Sequence, residues 1–188
     1  MILSSLLVLT SLSVSPTSLS GPSPSPPPAP AASIALGSTN FCDPAAVNSS
    51  GNSAVLTSMP IATGAGYRLL VSGGPTSNNS LGYFIMSGSI AGPIPLGDGN
   101  LCLGGTVGRY SPNSGANLNS LGIFNSLGVF TNPSGTSATG FGFDIPTELP
   151  PLIGGLIAPG STWHFQLWFR DSGLGPTTNL SNGLSLTF

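Results

Sequence analysis

The chain has 188 residues, of which only 4% are charged, with no lysine and a formal net charge of −2. It lacks the cations that nucleic acid or a polybasic membrane patch demands, and its low charge offers little repulsion against self-association. Gly (27), Pro (19) and 39% apolar residues in short patterned runs predict an all-β domain rather than a low-complexity chain.

The first 20 residues, "MILSSLLVLTSLSVSPTSLS", are apolar from Ile2 to Val14. That run is too short to span a bilayer comfortably and fits the apolar core of a secretory signal peptide, although a positive flank is missing. The alternative is a misassigned start, with this segment a linker from a longer protein. Residues 21–38 form a Pro/Ser/Ala-rich linker, extended and unable to build a core. Residues 39–188 read as one domain, large enough for a single core. No stable transmembrane segment is expected after processing.

Within that domain, strand-like runs alternate with Gly, Pro, Asn and Ser. They are "SAVLT" (53–57), "YRLLVSG" (67–73), "LGYFIMSG" (81–88), "LCLGGTVGRY" (101–110), "LGIFNSLGVF" (121–130), "FGFDIP" (141–146), "STWHFQLWFRD" (161–171) and "GLSLTF" (183–188). About eight short strands at this spacing predict an antiparallel β-sandwich, jelly-roll or immunoglobulin-like, with little helix. A hexapeptide recurs as "NSLGYF" (79–84), "NSLGIF" (119–124) and "NSLGVF" (125–130). It reads as a turn leading into an apolar strand, since three short copies fall far short of a solenoid.

The run 161–171 concentrates the chemistry, with the only His and both Trp residues. Strand alternation puts Trp163, Phe165, Leu167 and Phe169 on one face, which must meet the core. Burial of those four side chains contributes on the order of 6–12 kcal/mol before entropy. His164, Gln166, Trp168 and Arg170 share the other face, a mixture of ring surface and hydrogen-bonding groups suited to a sugar. "GLSLTF" repeats the pattern, with Leu184, Leu186 and Phe188 inward and Ser185 and Thr187 outward. Asp171 opens a turn-rich connection and reads as structural rather than catalytic, either accepting backbone amides in an Asx-type turn or pairing locally with an Arg.

Two cysteines, Cys42 and Cys102, fit an exported domain closed once by a disulfide, the alternative being two buried free thiols. Such a bridge, closing about 60 residues, contributes at most about 4 kcal/mol. Neither cysteine has the spacing of a zinc or redox motif. The sequons at Asn48, Asn78 and Asn179 carry little weight in so Ser- and Asn-rich a chain.

"FCDPAAVNSSGNSAVL" (41–56), "GNLCLGGTVGRY" (99–110), "PGSTWHFQLWFRD" (159–171) and "PTTNLSNGLSLTF" (176–188) together resemble an uncharacterised C-terminal β-rich domain family of exported planctomycete-type bacterial proteins. The resemblance spans residues 40–188. It implies a Cys42–Cys102 bridge and marks Trp163, Phe165, Gln166, Trp168, Arg170 and Asp171 as positions of the family pattern. His164 stands where that pattern has Asn, and Leu180 where it has Phe. The resemblance brings no activity with it.

Catalysis has little to draw on. The chain contains no Gly-x-Ser-x-Gly elbow, phosphate loop or His-Glu-x-x-His motif, and His164 is the lone candidate base. Asp144 and Glu148 would be a glycosidase pair, but their Pro-rich surroundings predict surface turns. Asp98 and Asn100 in "GDGN" have oxygens for Ca²⁺, yet a plain Gly-Asp-Gly turn explains them better. The expectation is a non-catalytic secreted or cell-surface structural or interaction domain, without metal or cofactor, meeting an extracellular protein or glycan. The alternative is a carbohydrate-binding module using the Trp168 face.

Overall fold

Apolar residues that alternate with small polar ones have one stable arrangement here, sheet against sheet. A computed structural model describes residues 37–61, 66–76, 80–111, 118–133, 135–137, 139–171 and 177–188, all within the unit Ser33–Phe188. The expected signal peptide, most of the linker and Asn78 lie outside the described residues.

The fold is all-β, with antiparallel sheets and no α-helix among the described residues. Thirteen strands appear among those residues where about eight were expected, because the expected runs 101–110 and 121–130 each divide in two and the strands at 37–41, 89–96 and 177–180 escaped the sequence pattern. They are β1 (Gly37–Phe41), β2 (Val55–Pro60), β3 (Tyr67–Ser72), β4 (Leu81–Ser87), β5 (Ser89–Leu96), β6 (Gly99–Gly104), β7 (Gly108–Arg109), β8 (Gly122–Phe124), β9 (Phe130–Thr131), β10 (Phe143–Asp144), β11 (Thr162–Asp171), β12 (Thr177–Leu180) and β13 (Gly183–Thr187). The main sheet runs β1-β13-β11-β4-β8-β9, with β12 also pairing β11 and β7 also pairing β4. A three-stranded sheet, β10-β3-β2, forms the second layer, and β5 and β6 form a separate hairpin.

The core fills the space between the first two sheets. Phe165, Leu167 and Phe169 of β11 are fully buried there, with Trp163 packed at the margin, as the alternation required. Phe84 and Met86 of β4, Leu184 and Leu186 of β13, and Leu56, Leu69 and Phe143 of the smaller sheet complete it. Phe188 is half-buried, its ring edge-on to Tyr67 at 5.3 Å, while the Tyr67 hydroxyl donates to the Thr187 carbonyl. Tyr110 is fully buried beneath Phe143 and donates to the Glu148 carbonyl at 3.1 Å; burial pushes its phenol pKa well up.

The hexapeptide copies become neighbouring strands. Leu81 pairs with Ile123 and Gly82 with Gly122 between β4 and β8, while Phe124 pairs with Phe130 between β8 and β9. Asn119 accepts the Leu121 amide, and Asn125 accepts those of Leu127 and Val129, the Asx geometry of a chain entering a strand. The final residues of the three copies, Phe84, Phe124 and Phe130, meet in the core, with Phe130 edge-on to both others. The turn-into-strand reading therefore describes the second and third copies, and the three copies also pack on one another.

The β5–β6 hairpin lies over the other face of the main sheet. Gly97 and Asp98 close it, with Gly97 at a φ of +63° in the first central position, the pattern of a II′ turn. Leu103 of β6 packs on Ile85 and Leu180, with Phe41, Tyr83, Leu101, Val107 and Trp168 around them. This second apolar cluster makes the outer face of β11 an interior surface along part of its length.

Candidate binding face

The strand β11 sets His164, Gln166, Trp168 and Arg170 on one face, but it does not leave all four to solvent. Gln166 is 0% exposed. Its carbonyl oxygen accepts the Cys102 amide at 2.8 Å, and its amide nitrogen donates to the Asn100 and Ser181 carbonyls at 3.1 and 3.0 Å. Its carboxamide thus occupies the place of a neighbouring strand's peptide along β6, with no polar group left for a ligand. Of the four residues proposed for a binding face, Gln166 is therefore covered by the hairpin.

His164 is half-buried, with Nδ1 2.8 Å from the Ser185 hydroxyl and its ring edge-on to Phe41 at 5.8 Å. Burial lowers its pKa from the ordinary imidazole value. The unfolded chain therefore takes up a proton near pH 6.5, and the native chain only at lower pH. Across that window the unfolded state binds more protons, so stability rises with pH and is lost on acidification. The melting midpoint is expected to fall between pH 7.5 and pH 5, and His164→Gln to flatten that fall; circular dichroism melts at several pH values measure both.

Trp168 is half-buried and stacks on Tyr83 of β4, with ring centroids 4.7 Å apart and planes 25° apart. The Arg109 guanidinium lies 5.2 Å from the Tyr83 ring centroid. Arg170 is exposed at the far end of the face. Beside Tyr83 a shallow pocket of about 400 Å³ opens, lined by Ile85, Val107, Arg109, Ser111, Pro151 and Leu152 among others. Tyr83 and Arg109 were not singled out from sequence as binding residues. The signal was there: the fifth position of the hexapeptide is Ile or Val in the other copies and Tyr here, and Arg109 is one of three cations.

The remaining candidates are structural. Cys42 and Cys102 form the expected disulfide, their Cα atoms 6.2 Å apart, tying the end of β1 to β6 of the covering hairpin. Asp144 is a strand residue rather than a turn residue: on β10 it pairs with Arg68 of β3, Nη2 to Oδ2 at 2.9 Å, while Glu148 is exposed in the following loop. Asp171 is buried, and its Oδ2 accepts the amide of Ser49, 122 residues away, at 2.9 Å. The amides of the connection that follows Asp171, where the local turn was expected, lie outside the described residues. The Asp98 side chain sits exposed in the hairpin turn, and its amide donates to the Thr178 carbonyl at 2.8 Å. Asn48 and Asn179 are buried, their side-chain amides given to the Gly73 and Val47 carbonyls, so neither sequon is open to a glycan in the folded domain.

Among the described residues no group of three or more His, Cys, Asp or Glu lies together, and no helix is long and apolar enough to cross a membrane. Comparison with protein-family models, with curated proteins and with solved structures returns no match.

Proposed function

We propose that the chain is a non-catalytic structural or interaction domain, secreted or held at the cell surface. The observation that carries this reading is the use of Gln166: the polar centre of the most chemically dense face holds a hairpin down. The disulfide fits an oxidising compartment. The resemblance to exported planctomycete-type domains agrees with it. His164, the sole candidate base, spends Nδ1 on a serine hydroxyl. The test is a hydrolysis screen of the oxidised full chain against polysaccharides and esters. No turnover above buffer is the expected result, and an activity that disappears in His164→Ala would overturn the proposal.

A second reading is carbohydrate binding at the Tyr83 end of the same face, favoured by the pocket beside the Trp168–Tyr83 stack. Apolar walls and an adjacent arginine suit the C–H face and hydroxyl edge of a sugar ring. On a glycan array, saturable binding to one glycan class that is lost in both Trp168→Ala and Arg109→Ala would establish this reading. Silence from all three folded proteins would remove it.

A further inference from the structure

A strand at the edge of a sheet presents a row of unpaired backbone amides and carbonyls, and folded proteins normally blunt it. The strands of this domain are blunted by identifiable devices. Along β2, the Asn182 side chain accepts the Leu56 amide and donates to the Leu56 carbonyl. Gln166 does the same for β6. Pro93 and Pro95 interrupt β5, and β9 is two residues long and bridged onward from Thr131 to Phe141. The Thr178 carbonyl of β12 is taken by the hairpin turn.

The exception is β1. It closes one end of the main sheet, pairs with β13 through all five residues in unbroken register, and has no further strand on its other side among the described residues. Its sequence, GSTNF, carries no charge, proline or register shift, and Gly37 to Asn40 are all exposed.

We infer that β1 is a self-association edge, pairing antiparallel with β1 of a second copy of this chain about a two-fold axis at Thr39. The occupant follows from the residues. An antiparallel pair centred there sets Thr39 against Thr39, Ser38 against Asn40 and Gly37 against Phe41. These are uncharged, hydrogen-bonding or small partners, and like charges nowhere oppose each other. A net charge of −2 adds almost no long-range repulsion between copies. The main sheet then runs continuously through both molecules. Five residues bury less than a standard interface, so the dimer is weak and forms only at high local concentration, as on a crowded surface.

The inference rests on the interaction-domain reading and names its partner. Sedimentation equilibrium on the oxidised full chain tests it, between about 10 µM and 1 mM. The wild-type mass is expected to climb from one chain toward two across that range. Thr39→Lys and Thr39→Glu each stay monomeric, with association weakened at least about tenfold, because the axis sets like charges face to face. An equimolar mixture of the two restores the dimer, which shows that both variants are folded. A wild-type chain that remains monomeric, or association that is unchanged in Thr39→Lys, overturns the β1 edge. The two claims fail separately, since turnover in the screen above that disappears in His164→Ala would defeat the interaction-domain reading whatever the mass.

Discussion

Gly122→Val is expected to destabilise the domain strongly, although glycine-to-valine in a strand ordinarily gains β propensity. A methyl group at Gly122 would lie 2.3 Å from the Thr131 carbonyl oxygen and 2.6 Å from the Phe130 ring. The oxygen belongs to the neighbouring backbone and cannot swing aside. The ring is held edge-on by Phe84 and Phe124 and also rests against Gly82, where an added Cβ would lie 3.1 Å from it. The cost is at or above the upper end of overpacking, about 3 kcal/mol or more, with the second branch of valine adding to it. Set against a domain stability of about 5–15 kcal/mol, that is a large fraction of the total. Chemical denaturation of Gly122→Ala and Gly122→Val, compared with Gly92→Ala, measures it. A methyl group added at Gly92 would meet no atom within 4 Å, so that substitution serves as the control. Equal midpoints for Gly122→Ala and Gly92→Ala would show that β8 and β9 separate freely and that the hexapeptide copies are not one packed unit.

The same glycines show what a sequence reveals and what it withholds. The hexapeptide repeat was visible, and so was its role as a turn before a strand, because Asx turns are local and follow from Asn two residues before an amide. That Phe130 would rest on Gly82 and Gly122 was not visible, because it depends on which strands become neighbours. The inward face of β11 was legible for a related reason: Phe165, Leu167 and Phe169 alternate without interruption, and period-two patterning needs no partner to be named. The strands that escaped lacked that signal. β5 contains Gly92, Pro93 and Pro95, residues that read as a loop; a register shift between Ile90 and Ile94 accommodates the first two, and Pro95 pairs with Asn100. β1 and β12 are Ser-, Thr- and Asn-rich and look like connections. For the candidate face, alternation gave the side on which Gln166 and Trp168 lie. It could not say whether that side meets water, since the covering hairpin comes from elsewhere in the chain.

Gln166 turns that difference into a measurement. Gln166→Leu keeps the volume but strands the buried Cys102 amide and Ser181 carbonyl, each at about 1–3 kcal/mol, and the Asn100 carbonyl, which is nearer water, at less. A loss of about 3–5 kcal/mol is expected, more than truncating an exposed ligand-contacting glutamine would cost. Hydrogen exchange should place the loss, with faster exchange in β5 and β6 than in the β11–β4 centre, while the disulfide still tethers the hairpin at Cys102. Gln166→Glu supplies a sharper test. Its carboxylate can still accept the Cys102 amide, but ionised it faces two carbonyl oxygens in a buried site, which raises its pKa in the folded state. A group whose folded pKa lies above its unfolded value supports the fold below the unfolded pKa and withdraws that support as pH rises through the folded one. The Gln166→Glu domain should therefore gain stability relative to wild type as pH falls from 8 toward 4.5, against the direction set by His164. If Gln166→Leu is neutral and Gln166→Glu shows no such pH trend, the hairpin is not held by this side chain. The carbohydrate reading would then gain what the structural one lost.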